Sequence, residues 1–157
     1  MKTADLIDSH AKDLSLVHLP WRSFGKRQSF AAPIQTVKCF EDNSEVRAQL
    51  ETPGKGRVLA IDGGGSTRIA LLGDILVNLA MQNDWRGIVL NGALRDSAEI
   101  EDMDILVFAL GTSPVKSAKE GWGKSGCEMS FGDVNFSPGD WLYADGDGVL
   151  HSSKKLI

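Results

Sequence analysis

Three short apolar runs, Arg57 to Ile61, Gly87 to Leu90 and Ile105 to Leu110, recur along the chain with polar or helix-like segments between them. That alternation restricts the fold more than any other feature. Strand, helix, strand in succession implies a sheet that is at least partly parallel, because each connection must cross back over it. From Asp74 onward, Ile75, Leu76, Leu79, Ala80 and Met81 repeat at helical spacing until Asn83-Asp84. A second helix begins at Asn43 or Ser44, carries Val46 and Leu50, and stops at Pro53-Gly54. Ser97 is positioned to cap a short acidic helix through Asp102, and Thr3 to cap one from Ala4 to His10.

The remaining segments read as strands and turns. Pro33 to Phe40 and Arg68 to Leu72 have strand character, whereas Leu16 to Ser29, with Pro20 and Gly25, reads as irregular. Beyond Gly111, short strands near Cys127 to Phe131, Val134 to Phe136, Trp141 to Ala144 and Gly148 to Ser152 are divided by the hairpin signals Pro138-Gly139 and Asp147-Gly148. No repeat or linker interrupts the pattern, so a single α/β domain over residues 1–157 is expected.

Composition narrows the partners. The 21 acidic residues outnumber the 17 basic ones and the basic residues are scattered, which argues against direct nucleic-acid binding. The one tight basic group, Arg22, Lys26 and Arg27, reads as a solvated turn. Cys39 and Cys127 sit far apart in strand-like segments and are expected to be reduced thiols, which fits a cytoplasmic setting. No segment approaches the ~18 apolar residues of a membrane span, and no export signal is apparent.

The pattern richest in chemistry is Asp74, twenty intervening residues, then Arg95-Asp96. A helix start followed by the turn after the next strand can bring these together. A carboxylate there can hold a divalent cation, the arginine can grip an anionic oxygen, and the helix start offers N–H groups to a carboxylate. The structural alternatives are a helix cap for Asp74 and a surface ion pair for Arg95-Asp96. Elsewhere the signals are weaker. Gly63 to Gly65 lacks the phosphate-loop ending and reads as a tight turn. His10, His18 and His151 lack metal-ligand spacing, and Asp145 with Asp147 reads as a hairpin turn.

Several separated stretches resemble one family. Val37 to Asn43 (Val-Lys-Cys-Phe-Glu-Asp-Asn), Arg57 to Ser66, Gly73-Asp74, Asn91 to Asp96 and Pro138 to Asp145 together look like the regulator of ribonuclease activity A family, which includes class II 4-hydroxy-4-methyl-2-oxoglutarate aldolases. The aldolase signature, Asp and then Arg-Asp after twenty residues, is intact as Asp74 and Arg95-Asp96. The resemblance implies that Asp96 binds a divalent metal, Mg2+ or Mn2+, and that Arg95 binds the substrate. It also implies that Gly73, Asp74, Ile75 and Leu76 present backbone amides to the substrate carboxylate, with Asp74 orienting a water that acts as base. Many relatives have Asn where this chain has Ile75.

The fold implied is a layered α/β/β domain of the swivelling type with mixed sheets, assembled as a homotrimer with sites near subunit boundaries. The reaction implied is cleavage of a small 2-oxo acid to two pyruvates through a pyruvate enolate, with oxaloacetate decarboxylation as a side activity. The alternatives are a regulator that binds ribonuclease E without catalysis and a small-molecule binding module built on the glycine run. Trp21, Phe24 and Phe30, lying in the irregular segment, are expected to need an oligomeric surface to cover them.

Overall fold

The three apolar runs stand side by side in parallel at the centre of the molecule, because both of their faces are buried. The computed structural model describes residues 1–157. In chain order it contains helix α1 (Thr3–His10), strands β1 (Ser15–Leu16), β2 (Arg22–Phe24) and β3 (Phe30–Lys38), helix α2 (Ser44–Leu50), strands β4 (Val58–Asp62) and β5 (Ala70–Leu72), and helix α3 (Asp74–Gln82). Strands β6 (Gly87–Asn91) and β7 (Ala93–Leu94), helix α4 (Ser97–Glu101), and strands β8 (Leu106–Ala109) and β9 (Gly111–Thr112) follow. The chain ends in β10 (Lys124–Ser125), β11 (Met129–Phe131), β12 (Val134–Phe136), β13 (Trp141–Asp145) and β14 (Gly148–Ser152).

The large sheet has the order β1-β14-β13-β3-β4-β6-β8-β2, with β10 also pairing with β3. Its centre, β3-β4-β6-β8, is parallel and its flanks are antiparallel. Strand alternation divides the core in two. Leu59, Ile61, Ile88, Leu90 and Val107 point to the face covered by Val46 and Leu50 of α2, Leu76, Val77 and Ala80 of α3, and Ile100 of α4. Val58, Ala60, Val89, Leu106 and Phe108 point to the other face, against Phe131, Val134, Phe136 and Leu142. A second, small parallel sheet, β5-β7-β9, lies apart from the large one. No helix is long and apolar enough to cross a membrane.

Residues 16–29 depart from expectation. Rather than being irregular throughout, they include the edge strand β2, whose Phe24 pairs with Val107 of β8. Phe24 and Phe30 are 5% and 4% exposed, so both belong to the core of a single chain and need no oligomer to cover them. Trp21 is partly buried, edge-on to Phe108 and Phe131 at 6.3 and 6.2 Å. The aromatic residues are recruited inward by partners about 80 to 110 residues away, which local pattern does not display. Two expected caps also differ. Thr3 is the first residue of α1, and its N–H and hydroxyl donate to the Asp145 carboxylate at 2.8 and 2.6 Å. Ser97 likewise lies inside α4, and Asp96 precedes it. Cys39 and Cys127 are free thiols, and burial, with Asp62, Asp42 and Glu45 nearby, pushes Cys39 up to about 12.

Residues 113–122 form a strap that returns across the edge of the small sheet. The Ala70 N–H donates to Val115 O at 2.8 Å and the Ala118 N–H to Glu41 O at 3.1 Å. The fully buried Asp42 carboxylate accepts from the N–H groups of Ser44 (3.0 Å) and Glu120 (2.6 Å). Burial opposes its charge, but these bonds outweigh burial and hold the carboxyl below its ordinary value. Next to it, Glu41 bridges to Arg68 at 2.6 and 2.9 Å and to the Ser66 hydroxyl at 2.7 Å.

Two outcomes follow for stability. Phe30→Ala empties a core site against Phe108 and should lower the unfolding free energy by about 3–5 kcal/mol in urea titration. Arg68 first, and Ser66 second, hold the Glu41 carboxyl at about 2 against an ordinary 4.5. Ionised Glu41 therefore supports the fold fully above about pH 4.5, and the support disappears as the pH falls towards 2. Arg68→Ala should lower Tm at neutral pH and converge with the unmodified protein near pH 2. A gap that persists in acid would show that the pair is not its source.

Candidate active site

The small parallel sheet brings the twenty-residue spacing to a point. Leu72 of β5 lies beside Leu94 of β7, and the Arg95 N–H donates to Leu72 O at 2.9 Å. The chain then leaves β5 as Gly73-Asp74 and β7 as Arg95-Asp96. Both exits are at the carboxyl ends of parallel strands, where α/β sheets commonly form ligand sites. The two segments touch: the Asp74 N–H donates to Asp96 Oδ2 at 3.1 Å.

Each residue has a local reason for its position. Asp96 adopts the left-handed conformation, φ 58° and ψ 39°, which Asp tolerates better than most side chains. It occupies the cap position of α4, yet its carboxylate makes no capping bond there and instead reaches α3. Gly73 leaves the space this requires, since a Cβ on it would stand 2.8 Å from Asp96 Oδ2 and 3.5 Å from Arg95 Cγ. Asp74 opens α3 as its first residue and not as its cap. The first amide to bond back within that turn is that of Val77, to Gly73 O at 3.0 Å. The N–H groups of Ile75 and Leu76 therefore precede the regular ladder, as at any helix start. Leu76 buries its side chain in the core, so only its backbone can serve the cleft, whereas Ile75 is 69% exposed at the rim.

These residues line a cleft of about 150 Å3, which also takes in Asn43 and Arg47 of the α2 region and Lys116, Ser117 and Lys119 of the strap. All of the site residues expected from sequence, Gly73, Asp74, Ile75, Leu76, Arg95 and Asp96, meet there. The strap and α2 residues were not foreseen. Asn43 belongs to a motif already noted, but nothing periodic marks Lys116 or Lys119.

The electrostatics are unbalanced in a useful way. The adjacent Asp96 carboxylate, with burial adding to it, holds the Asp74 carboxyl above its ordinary value. Neither carboxylate is in an ion pair, and Arg95 forms none either, so the surface pair expected of Arg95-Asp96 is not made. Two touching carboxylates without an internal cation are a donor set that a hard divalent ion fits. The chain has no cluster of three His, Cys, Asp or Glu for a closed cage, and Mg2+ commonly retains several waters. The glycine run makes the tight turn expected of it. The N–H groups of Gly63 and Gly65 donate to Asn91 O and that of Gly64 to Asp62 Oδ1, which leaves no cradle for phosphate.

Comparison with known proteins finds one family and one fold under differing descriptions. The family model RraA-like: Aldolase/RraA matches residues 3–151. A protein of Aromatoleum aromaticum named "Putative 4-hydroxy-4-methyl-2-oxoglutarate aldolase" is 47% identical over 99% of this chain and 98% of its own. A solved structure from Geobacillus kaustophilus, described as an S-adenosylmethionine:2-dimethylmenaquinone methyltransferase, superposes with a TM-score of 0.97 at 49% identity, over 99% of this chain and 97% of the other. The Thermus RNA-processing inhibitor RraA superposes with a TM-score of 0.95 at 40% identity, over 100% and 95%.

Gly73→Ala tests the geometry directly. The new Cβ must displace the Asp96 carboxylate, so the Asp74 amide should exchange its hydrogen at least about tenfold faster while the circular dichroism spectrum stays the same. Exchange at the original rate would mean that the carboxylate does not depend on the space at Gly73.

Proposed function

Since the chain belongs to the RraA-like family, we propose that it is a divalent-metal-dependent aldolase that cleaves 4-hydroxy-4-methyl-2-oxoglutarate to two pyruvates. The observation that carries this reading is the meeting of two unpaired carboxylates, Asp74 and Asp96, with an unpaired Arg95 in a small cleft at a helix start. Asp96 is the residue that would hold Mg2+ or Mn2+, and such an ion supplies Lewis acidity to the oxygens of a 2-oxo acid.

The chain's own groups account for the rest. The N–H groups at the start of α3 bind the C1 carboxylate of the substrate. As the C3–C4 bond breaks, its electron pair moves toward the C2 oxygen, and the Arg95 guanidinium places a fixed positive charge for that developing enolate. The C4 hydroxyl gives up its proton as C4 becomes the new carbonyl, and C3 of the enolate gains one, so the products are two pyruvates. Asp74 would orient the water that passes this proton. Loss of CO2 from oxaloacetate leaves the same enolate, which makes decarboxylation the expected side activity.

Assembly enters the proposal through the rim. Ile75 at the cleft and Val115 beside Lys116 are 69% and 50% exposed, and Phe40 and Trp122, at the ends of segments that the strap joins, are 54% and 63% exposed. A homotrimer whose subunits meet along this rim would cover these side chains and close the cleft. A ribonuclease E-binding regulator without catalysis is the second reading, favoured by the likeness to the Thermus inhibitor. Such a regulator has no use for Asp96 as a ligand.

The experiment is pyruvate release from 4-hydroxy-4-methyl-2-oxoglutarate with Mg2+ or with chelator, together with calorimetric titration of Mn2+. Asp96→Asn should abolish most metal affinity and activity. Arg95→Lys should keep the metal affinity and lower kcat by about 10²-fold, because lysine lacks the planar fork. Metal affinity unaffected by Asp96→Asn, or pyruvate release indifferent to chelator, would remove the metal-dependent reading. Light scattering on the same sample should report a trimer.

A further inference from the structure

One fully buried carboxylate ties together two segments that both wall the cleft. Asp42 Oδ1 accepts the Ser44 N–H at 3.0 Å and Asp42 Oδ2 accepts the Glu120 N–H at 2.6 Å. Ser44 opens α2, where Asn43 and Arg47 line the cleft, and Glu120 lies in the strap, which lines it with Lys116, Ser117 and Lys119. Asp42 itself is not among the lining residues. Building on the aldolase reading, we propose that Asp42 is a positioning residue for the reaction: its carboxylate fixes the strap as a wall of the cleft and so sustains the affinity for substrate.

The strap has little else to hold it there. It contains neither a helix nor a strand. Its upstream part is tied to the small sheet, where Val115 O accepts the Ala70 N–H at 2.8 Å, and its downstream end runs into β10, which pairs with β3. Between these points, residues 118–121 hydrogen-bond outside the strap only to Glu41 through Ser44. The Ala118 N–H donates to Glu41 O at 3.1 Å, Ala118 O accepts the Asn43 N–H at 3.3 Å, and the Gly121 N–H donates to the Ser44 hydroxyl at 3.0 Å. The Glu120 bond to Asp42 is the shortest of the set and the one made to a charged, buried acceptor, the class of hydrogen bond that costs most to lose.

The division of the two oxygens makes the charge necessary. A carboxylate is acceptor-only and can serve α2 through one oxygen and the strap through the other. An asparagine in the same place has one oxygen, and its NH2 group must face either the Ser44 N–H or the Glu120 N–H, donor against donor. Asp42→Asn therefore preserves volume and breaks the link between the two segments. Asp74 and Asp96 are joined through β5 and β7 and do not depend on that link.

The test compares Asp42→Asn, Ser44→Ala and a control, Tyr143→Phe, with the full unmodified chain. The control removes another buried oxygen, the acceptor of the Leu156 N–H at 2.8 Å, in a cluster with Leu6, Leu14 and Leu150, none of which lines the cleft. In Asp42→Asn the Ala118 and Glu120 amides should exchange hydrogen at least about tenfold faster while the Asp74 amide keeps its rate. The KM for pyruvate release should rise about tenfold, with kcat within about threefold and the Mn2+ affinity unchanged. Ser44→Ala should move the same quantities less, and it decides the matter if Asp42→Asn does not fold. Tyr143→Phe should lower Tm yet leave KM and the strap amides as they are. Strap exchange or KM unaltered in the variants, or a KM raised equally by Tyr143→Phe, overturns the assignment. An unmodified chain that releases no pyruvate refutes the aldolase instead. The anchor is then read from calorimetric titration of pyruvate with Mg2+ present, where Kd should rise about tenfold in Asp42→Asn; an equal Kd, or no binding to either protein, refutes it.

Discussion

The lateral pairing of Leu72 with Leu94 in the small parallel sheet sets where every charged group of the cleft stands. It places two chain exits, with twenty residues between Asp74 and Arg95, within one hydrogen bond of each other. Everything that follows is local. Gly73 leaves the gap, Asp96 turns left-handed to fill it, and the amide of Asp74 accepts the closure by donating to Asp96. Moving either strand by one residue would exchange inward for outward side chains and break all three relations. The buried leucines at that pairing, each about 1% exposed or less, are what make the register specific.

Charge in the cleft is organised by the backbone more than by ion pairing. The strap carries lysines past the site on a path fixed by the Asp42 carboxylate, which is itself kept ionised by backbone N–H donors. On the other side, Asp74 and Asp96 are pressed together by backbone geometry, and neither forms an ion pair. Cations and carboxylates thus share a small cleft yet do not neutralise one another. That separation leaves both sets of charge without an internal partner in the cleft.

The large sheet was legible because β4, β6 and β8 are continuous apolar runs, as strands buried on both faces must be. The spacing of Asp74 from Arg95-Asp96 was legible as well, since a helix and a strand between them allow a return. What sequence did not show was anything fixed by distant pairing. Strand β2 exists because Phe24 finds Val107, and Phe30 is core because Phe108 stands against it. Lys116 and Lys119 lie in a stretch without period, and their place comes from single pairings with Ala70 and Asp42. The capping of α1 by Asp145 likewise joins residues at opposite ends of the chain.

Proteins that share this frame to within a TM-score of 0.95 or better carry descriptions as unlike as methyl transfer and inhibition of RNA processing. The frame therefore does not choose the chemistry, and the contents of the cleft must. A volume of about 150 Å3 is well below the ~300–1,000 Å3 common for drug-sized ligands and cofactors, and the charged groups at its walls are four cations and two carboxylates. Under the proposed reading, a small, oxygen-rich acid is the ligand that this size and charge accommodate. Within that cleft Asp96 is held away from its own helix: its carboxylate makes no bond to the α4 amides and accepts the Asp74 N–H instead.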